Sequence, residues 1–176
     1  MTKSFKPVVE GAREKLRAEP EKARASFEAV SRQTGSLRSE VQTRQFLLTV
    51  DEPPTLGGGD TGPNPVELIL AALASCQEIT YRLHADALGI PLEGVSVKVR
   101  GDLDLRGLFA AAEDVRPGFQ GLTVEVSLVS TASDAELERL RDVVERHCPV
   151  LDLLQNATPV AIAAERALAG PVIAAG

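Results

Sequence analysis

The sequence predicts an α+β fold, and three observations carry that reading. Residues 95–105 and 122–128 alternate apolar and polar side chains, the period of a half-exposed antiparallel strand. Residues 64–88 carry one long helical pattern with a start and a stop signal. The element order (helix, strands, long helix, strands, helix, short helix, strand) groups strand with strand and does not alternate as a doubly wound sheet does. No internal repeat is present.

Taken in order, residues 1–25 read as an N-terminal helical arm and residues 26–176 as a single domain. In the arm, residues 7–24 are charged and helical, with Val8, Ala12 and Leu16 on one face until Pro20 interrupts. Phe27, Ala29 and Ser31 begin a strand-like alternation, and Gly35 marks a turn. Leu37 to Val50 reads as a second strand region ending in the apolar Phe46-Leu47-Leu48-Thr49-Val50. Asp51 to Pro63 holds four glycines and three prolines, so it is a loop. It lacks Gly-Lys-Ser/Thr, and the helix after it carries Glu67 in its first turn, which argues against a phosphate cradle.

Asn64 is an N-cap for the next helix, with Pro65 at N1, Glu67 completing a capping box, and Gly89 as the stop. At 1.5 Å per residue this helix is about 36 Å long. Its first half is apolar nearly all round, so it demands burial on most sides. One subunit of 176 residues has little with which to surround it, and a homodimer packing two such helices together is the expected solution. Beyond the strand at 95–105, residues 106–121 form a long connection to the strand at 122–128. Ser133 with Glu136 caps a further helix whose stripe is Leu137, Leu140, Val143 and Val144. Val160 to Ala164 is expected to form a short last strand.

Composition narrows the partners. The chain has 19 basic and 25 acidic residues, a net charge of -6, and few aromatic residues, which argues against nucleic acid. Met1 to Lys6 leads into charged helix and no segment approaches the ~18 apolar residues of a membrane span. The expectation is a cytoplasmic protein with no membrane segment, whose two cysteines rest reduced.

Those cysteines, Cys76 and Cys148, carry the chemical question. Taken alone they read as buried apolar residues, the commoner fate of a free Cys, with a redox pair as the alternative. A zinc site from Cys76, His84, His147 and Cys148 matches no standard spacing. His84 lies about 12 Å along the helix from Cys76, too far to act as its base. His147 reads as a helix C-terminal residue. Cys148-Pro149 at a helix start places a sulfur near free N–H groups. Cys76 lies twelve residues beyond Asn64, past the reach of its helix dipole. An attacking thiolate there needs a cation from another segment, and Arg32, Arg38 and Arg44 are candidates. Glu67 reads as a capping residue, with holding an arginine as its alternative role.

The run Leu56-Gly57-Gly58, Gly62-Pro63-Asn64-Pro65-Val66-Glu67-Leu68 and Ala72-Leu73-Ala74-Ser75-Cys76, followed by His147-Cys148-Pro149-Val150, resembles the OsmC/Ohr family of thiol-dependent hydroperoxide reductases over residues 26–166. The resemblance implies an intertwined α+β homodimer with antiparallel sheets wrapped around two long central helices. It implies a peroxidatic Cys76 and a resolving Cys148, an organic hydroperoxide substrate, and a dithiol reductant, lipoyl-type in one branch. It implies no metal, haem or flavin. The family's glutamate directly follows the Asn-Pro; here Val66 stands there and Glu67 comes one place later. Its catalytic arginine lies in a Gly-Arg-x-Gly turn, matched nearest by Ser31-Arg32-Gln33-Thr34-Gly35, with Arg38 as the alternative. The fold also leaves room for two other roles, a dimeric binder of a small lipid-like ligand and a redox sensor.

Overall fold

A computed structural model describes residues 4–166. Helix α1 (Lys6–Ala18) leads through a 3-10 turn at Pro20–Ala23 to strands β1 (Val30–Gln33), β2 (Ser39–Thr43) and β3 (Phe46–Val50). Helix α2 (Pro65–Leu88) follows, then β4 (Gly94–Leu103), the single turn α3 (Leu105–Leu108), β5 (Phe119–Val129), α4 (Asp134–His147) and α5 (Pro149–Gln155). The strands form two antiparallel sheets, β1-β2-β3 and β4-β5. The mixed α+β class is therefore as the strand and helix patterns indicate. Among the described residues no helix is long and apolar enough to cross a membrane.

The second strand region divides. Thr43 pairs with Phe46 across a two-residue turn, so residues 39–50 are a hairpin. Arg44 turns the chain at φ 52, a left-handed conformation usually left to Gly or Asn, and its guanidinium lies 5.1 Å over the Phe46 ring. The β4-β5 pair matches the alternation, with Val95 opposite Leu128, Val97 opposite Val126 and Val99 opposite Val124. It ends two residues early because Asp104 caps α3, accepting from the Arg106 backbone N–H at 3.0 Å. The guanidinium of Arg106 holds the Asp104 carboxyl down to about 2.

Helix α1 presents a different face from the one expected. Val9 is buried, while Val8 and Leu16 are exposed. The reason lies 80 residues away: the Asp86 carboxylate on α2 accepts from Ser4 Oγ at 2.9 Å and from the backbone N–H groups of Phe5 and Lys6. It thereby satisfies donors that a helix start leaves free and sets how α1 lies on α2. Residues 157–166 form no strand, and Val160 and Ile162 are exposed. A strand needs an edge to pair with, and none reaches this segment among the described residues.

The core lies where α2, α4 and the β4-β5 sheet meet. Tyr81, Ala85, Ile90, Leu92, Leu140 and Val144 are its buried members. The β1-β2-β3 sheet packs mainly on itself, leaving Phe46, Leu47 and Leu48 of β3 exposed. On α2, Ile69 and Ile79 are also exposed.

The loop before α2 is organised by Asp51, which is 2% exposed. Its carboxylate accepts from the N–H groups of Glu52, Gly59 and Thr61 and from Thr61 Oγ1 at 2.8 Å. Backbone passes so closely here that a Cβ on Gly58 would sit 1.9 Å from the Glu52 carbonyl oxygen.

Leu140 is fully buried, so Leu140→Ala is expected to lower unfolding free energy by about 2–5 kcal/mol in urea titration. The hydrogen bonds to Asp51, that from Thr61 foremost, hold its carboxyl below the usual range. Its stabilising contribution is thus present above the ordinary carboxylate value of ~3.9 and is lost as pH falls through the lower folded value. Thermal melts across pH should show a gap between the wild type and Asp51→Asn that is constant above about pH 5 and closes in acid.

Candidate active site

Both sulfur-bearing elements start from capping boxes that the sequence shows. Asn64 Oδ1 accepts from the Glu67 N–H at 2.9 Å, and a Glu67 carboxylate oxygen accepts from the Asn64 N–H at 2.8 Å. The same reciprocal pair joins Ser133 and Glu136 at the start of α4. Pro65 opens α2 and Gly89, at φ 71, closes it. Cys76 therefore lies mid-helix and half-buried.

Cys148 is placed by the stripe of α4. Leu140, Val144 and Cys148 recur every fourth residue, the spacing of one helix face, and all are at most 1% exposed. Cys148 ends α4, its N–H bonding the Val144 carbonyl, and begins α5, its carbonyl accepting from the Asp152 N–H. In that position Cys148 Sγ lies 3.3 Å from Cys76 Sγ, with Cys148 as the donor. The two thiols, 72 residues apart in sequence, are in contact.

The free N–H groups expected near Cys148 are present, those of Leu151 and Val150 at the start of α5. They favour the thiolate, but burial outweighs them, and contact with Cys76 adds to it, so the Cys148 thiol is pushed up. Cys148 thus remains a thiol that donates to Cys76.

The arginine candidates stand elsewhere in the chain. Arg32 lies on β1 in register with Glu40, and Arg38 pairs with the same Glu40 at 3.6 Å. Arg44 occupies the β2-β3 turn. All three belong to a sheet without substantial packing against α2. Glu67 is engaged in the α2 cap, and among the described residues it forms no ion pair.

Two concavities share Leu151, in the first turn of α5. One of about 450 Å³ is lined by Gln77, Tyr81, Val126, Arg141 and Leu151, among others. The other, about 680 Å³, has an apolar wall from Val66, Ile69, Leu73, Leu122 and Leu154. Gln77, directly after Cys76, lines the first, and Leu151, in the first turn after Cys148, lines both. Among the described residues no group of three or more His, Cys, Asp or Glu is placed to hold a metal ion.

One feature escapes sequence reasoning altogether. The rings of His84 and His147 stack with centroids 5.5 Å apart, and His84 Nδ1 is buried with no hydrogen-bond partner among the described residues. Leaving such a group unpaired costs about 1–3 kcal/mol. Burial first, then His147 and Arg13, hold His84 below its ordinary value.

A family model described as OsmC-like protein matches residues 57–163, which span α2, α4, α5 and both cysteines. An OsmC-like protein from Mycoplasma pneumoniae superposes with TM-score 0.66 at 22% identity, covering 76% of this chain and 89% of that one. The organic hydroperoxide resistance protein OsmC from Legionella pneumophila gives 0.58 at 24%, covering 76% and 91%. An organic hydroperoxide resistance protein from Elizabethkingia anophelis, with thiocyanate bound, gives 0.57 at 20%, covering 77% and 92%. No curated protein matches the chain. The structural likenesses establish a common fold, and the family model, spanning more than half of the sequence, establishes that the chain belongs to the OsmC family.

Proposed function

We propose that the protein is a thiol-dependent reductase of organic hydroperoxides, with Cys76 as peroxidatic and Cys148 as resolving residue. The observation that carries this reading is the 3.3 Å contact between two sulfurs of unequal exposure. Cys76 is half-buried and open to a small molecule, while Cys148 is sealed behind it. The names of the structural relatives from Legionella pneumophila and Elizabethkingia anophelis point to the same substrate class.

The chemistry runs in three balanced steps. The Cys76 thiolate attacks the outer peroxide oxygen, the O–O bond breaks, and the alkoxide leaves and takes up a proton as alcohol. Cys76 is then a sulfenic acid. The Cys148 sulfur attacks it, an S–S bond forms, and water leaves. A dithiol reductant, lipoyl-type in our reading, reduces the disulfide by exchange and is itself oxidised. The apolar wall from Val66 to Leu73 suits the alkyl part of the substrate.

In this reading the working unit is a homodimer. A second copy covers the exposed apolar face of β3 and α2, and its β1-β2 turn brings Arg32 or Arg38 to Cys76, with Glu67 at the helix start beside it. Arginine suits the task because its fork stays charged when buried and can hold both a thiolate and a peroxide oxygen.

One equivalent of an organic hydroperoxide is expected to yield a Cys76–Cys148 disulfide in peptide mass spectra taken without reductant. Turnover with a dithiol should fall by roughly a thousand-fold or more in Cys76→Ser, the scale on which loss of a reacting nucleophile acts. Undiminished turnover in that variant would overturn the assignment. Thiols no faster with peroxide than free cysteine would favour a ligand-binding role instead, and oxidation without turnover would favour a sensor. Of Arg32→Gln and Arg38→Gln, the one that removes the activating charge should slow turnover about a hundred-fold while sedimentation still shows a dimer. If neither does, another cation activates Cys76.

A further inference from the structure

Helix α1 precedes the residues that match the family model. It is nevertheless docked firmly. Asp86 holds its first turn, Val9 is buried one turn later, and Arg13 acts on His84 beneath it. His84 is only 9% exposed, its Nδ1 is sealed without a partner, and its ring stacks on His147 of α4. A buried titratable nitrogen thus sits at the junction of α1, α2 and α4 and has no part in the thiol chemistry.

The charges that act on it share one sign. Helix α1 contributes Arg13 and α4 contributes His147. Strand β4, also packed on α2, turns Val95, Val97 and Val99 inward and leaves Lys98 and Arg100 exposed. On α2 itself the near carboxylate is Asp86, already occupied by the start of α1. Helix α1 also carries Glu10 and Glu14 beside Arg13, but the charges that act on His84 are those of His147 and Arg13, so a proton there would face a second imidazole and a guanidinium.

We propose that His84 is an acid-sensitive latch for the N-terminal arm: neutral, it lets α1 lie on α2, and protonated, it expels the arm. The sign of the linkage follows from burial, which together with His147 and Arg13 lowers the proton affinity of docked His84. Undocked, the imidazole returns to its ordinary value near 6.5. Docking is then indifferent to pH above that value and weakens as pH falls below it, because the undocked state binds the additional proton. Release would uncover the Val9 site and the His84–His147 face, one residue from Cys148.

Hydrogen exchange of the full-length protein reads this directly, with rates at each pH corrected for intrinsic exchange. Protection of residues 6–18 should fall between about pH 7.5 and 5, by at most about thirty-fold, the limit set by ending about 1.5 units below the free histidine value. Residues 94–103 and 134–147 should keep theirs. In His84→Gln the fall should vanish. If that variant does not fold, His84→Leu fills the same site without a titrating nitrogen. Constant protection of the arm, a loss shared by α4 and β4, or a loss that persists in both variants overturns the proposal. So does a release centred below about pH 4, which would assign the effect to Asp86. The Asp86 carboxyl is held below its usual range, chiefly by the Ser4 hydroxyl, and so stays charged at the pH values where His84 titrates.

Discussion

The packing of one face of α4 on α2 is the constraint on which the site depends. Leu140 and Val144 drop their whole side chains into the core, and the next residue on that face is Cys148. A helix shifted by one residue turns its side chains by about 100°, which would carry the sulfur away from Cys76. The thiol contact is therefore a product of core packing and needs no dedicated scaffold. Cys148 also serves as the last residue of α4 and the cap of α5, so the same backbone that ends one helix aims the thiol.

Set against that well-packed centre, the rest of the chain is lopsided. The β1-β2-β3 sheet holds a hydrogen-bonded ladder but little of the core, and Phe46, Leu47 and Leu48 of β3 stay exposed among the described residues. The exposed isoleucines of α2 share that condition. Apolar side chains gathered in this way mark a surface made for another protein surface. The proposed second copy would also account for the arginines carried on the same sheet.

How far these features can be read from sequence depends on how local their causes are. The starts of α2 and α4 were legible because Asn64 with Glu67 and Ser133 with Glu136 each close a capping box within four residues. The β4-β5 alternation was legible for the same reason. The split between β2 and β3 was not, because Arg44 adopts a left-handed conformation that Gly or Asn would have announced. Nor was the buried face of α1, set by Asp86 from 80 residues away. Asp51 gave no sign of its role, since its four donors converge only once the glycine loop folds back. Within the site, the residues of each motif could be named, but their meeting could not be derived from spacing. Only the resemblance of the flanking runs suggested that Cys76 and Cys148 pair. The His84–His147 stack was not legible, because 63 residues separate the two rings and only the packing of α2 on α4 brings them together.

The separation of the sulfurs has a consequence for what oxidation can communicate. A disulfide bond is about 2.05 Å long, so closing the present gap of 3.3 Å needs little more than a side-chain rotation. Leu140 and Val144 need not leave the core, and neither helix needs to slide. The oxidised and reduced molecules would then present nearly the same outline to anything that touches them. A messenger must change its shape to be read, whereas a catalyst is best served by returning to the start with as little rearrangement as it can. On that criterion the contact supports the proposed reductase over a sensor.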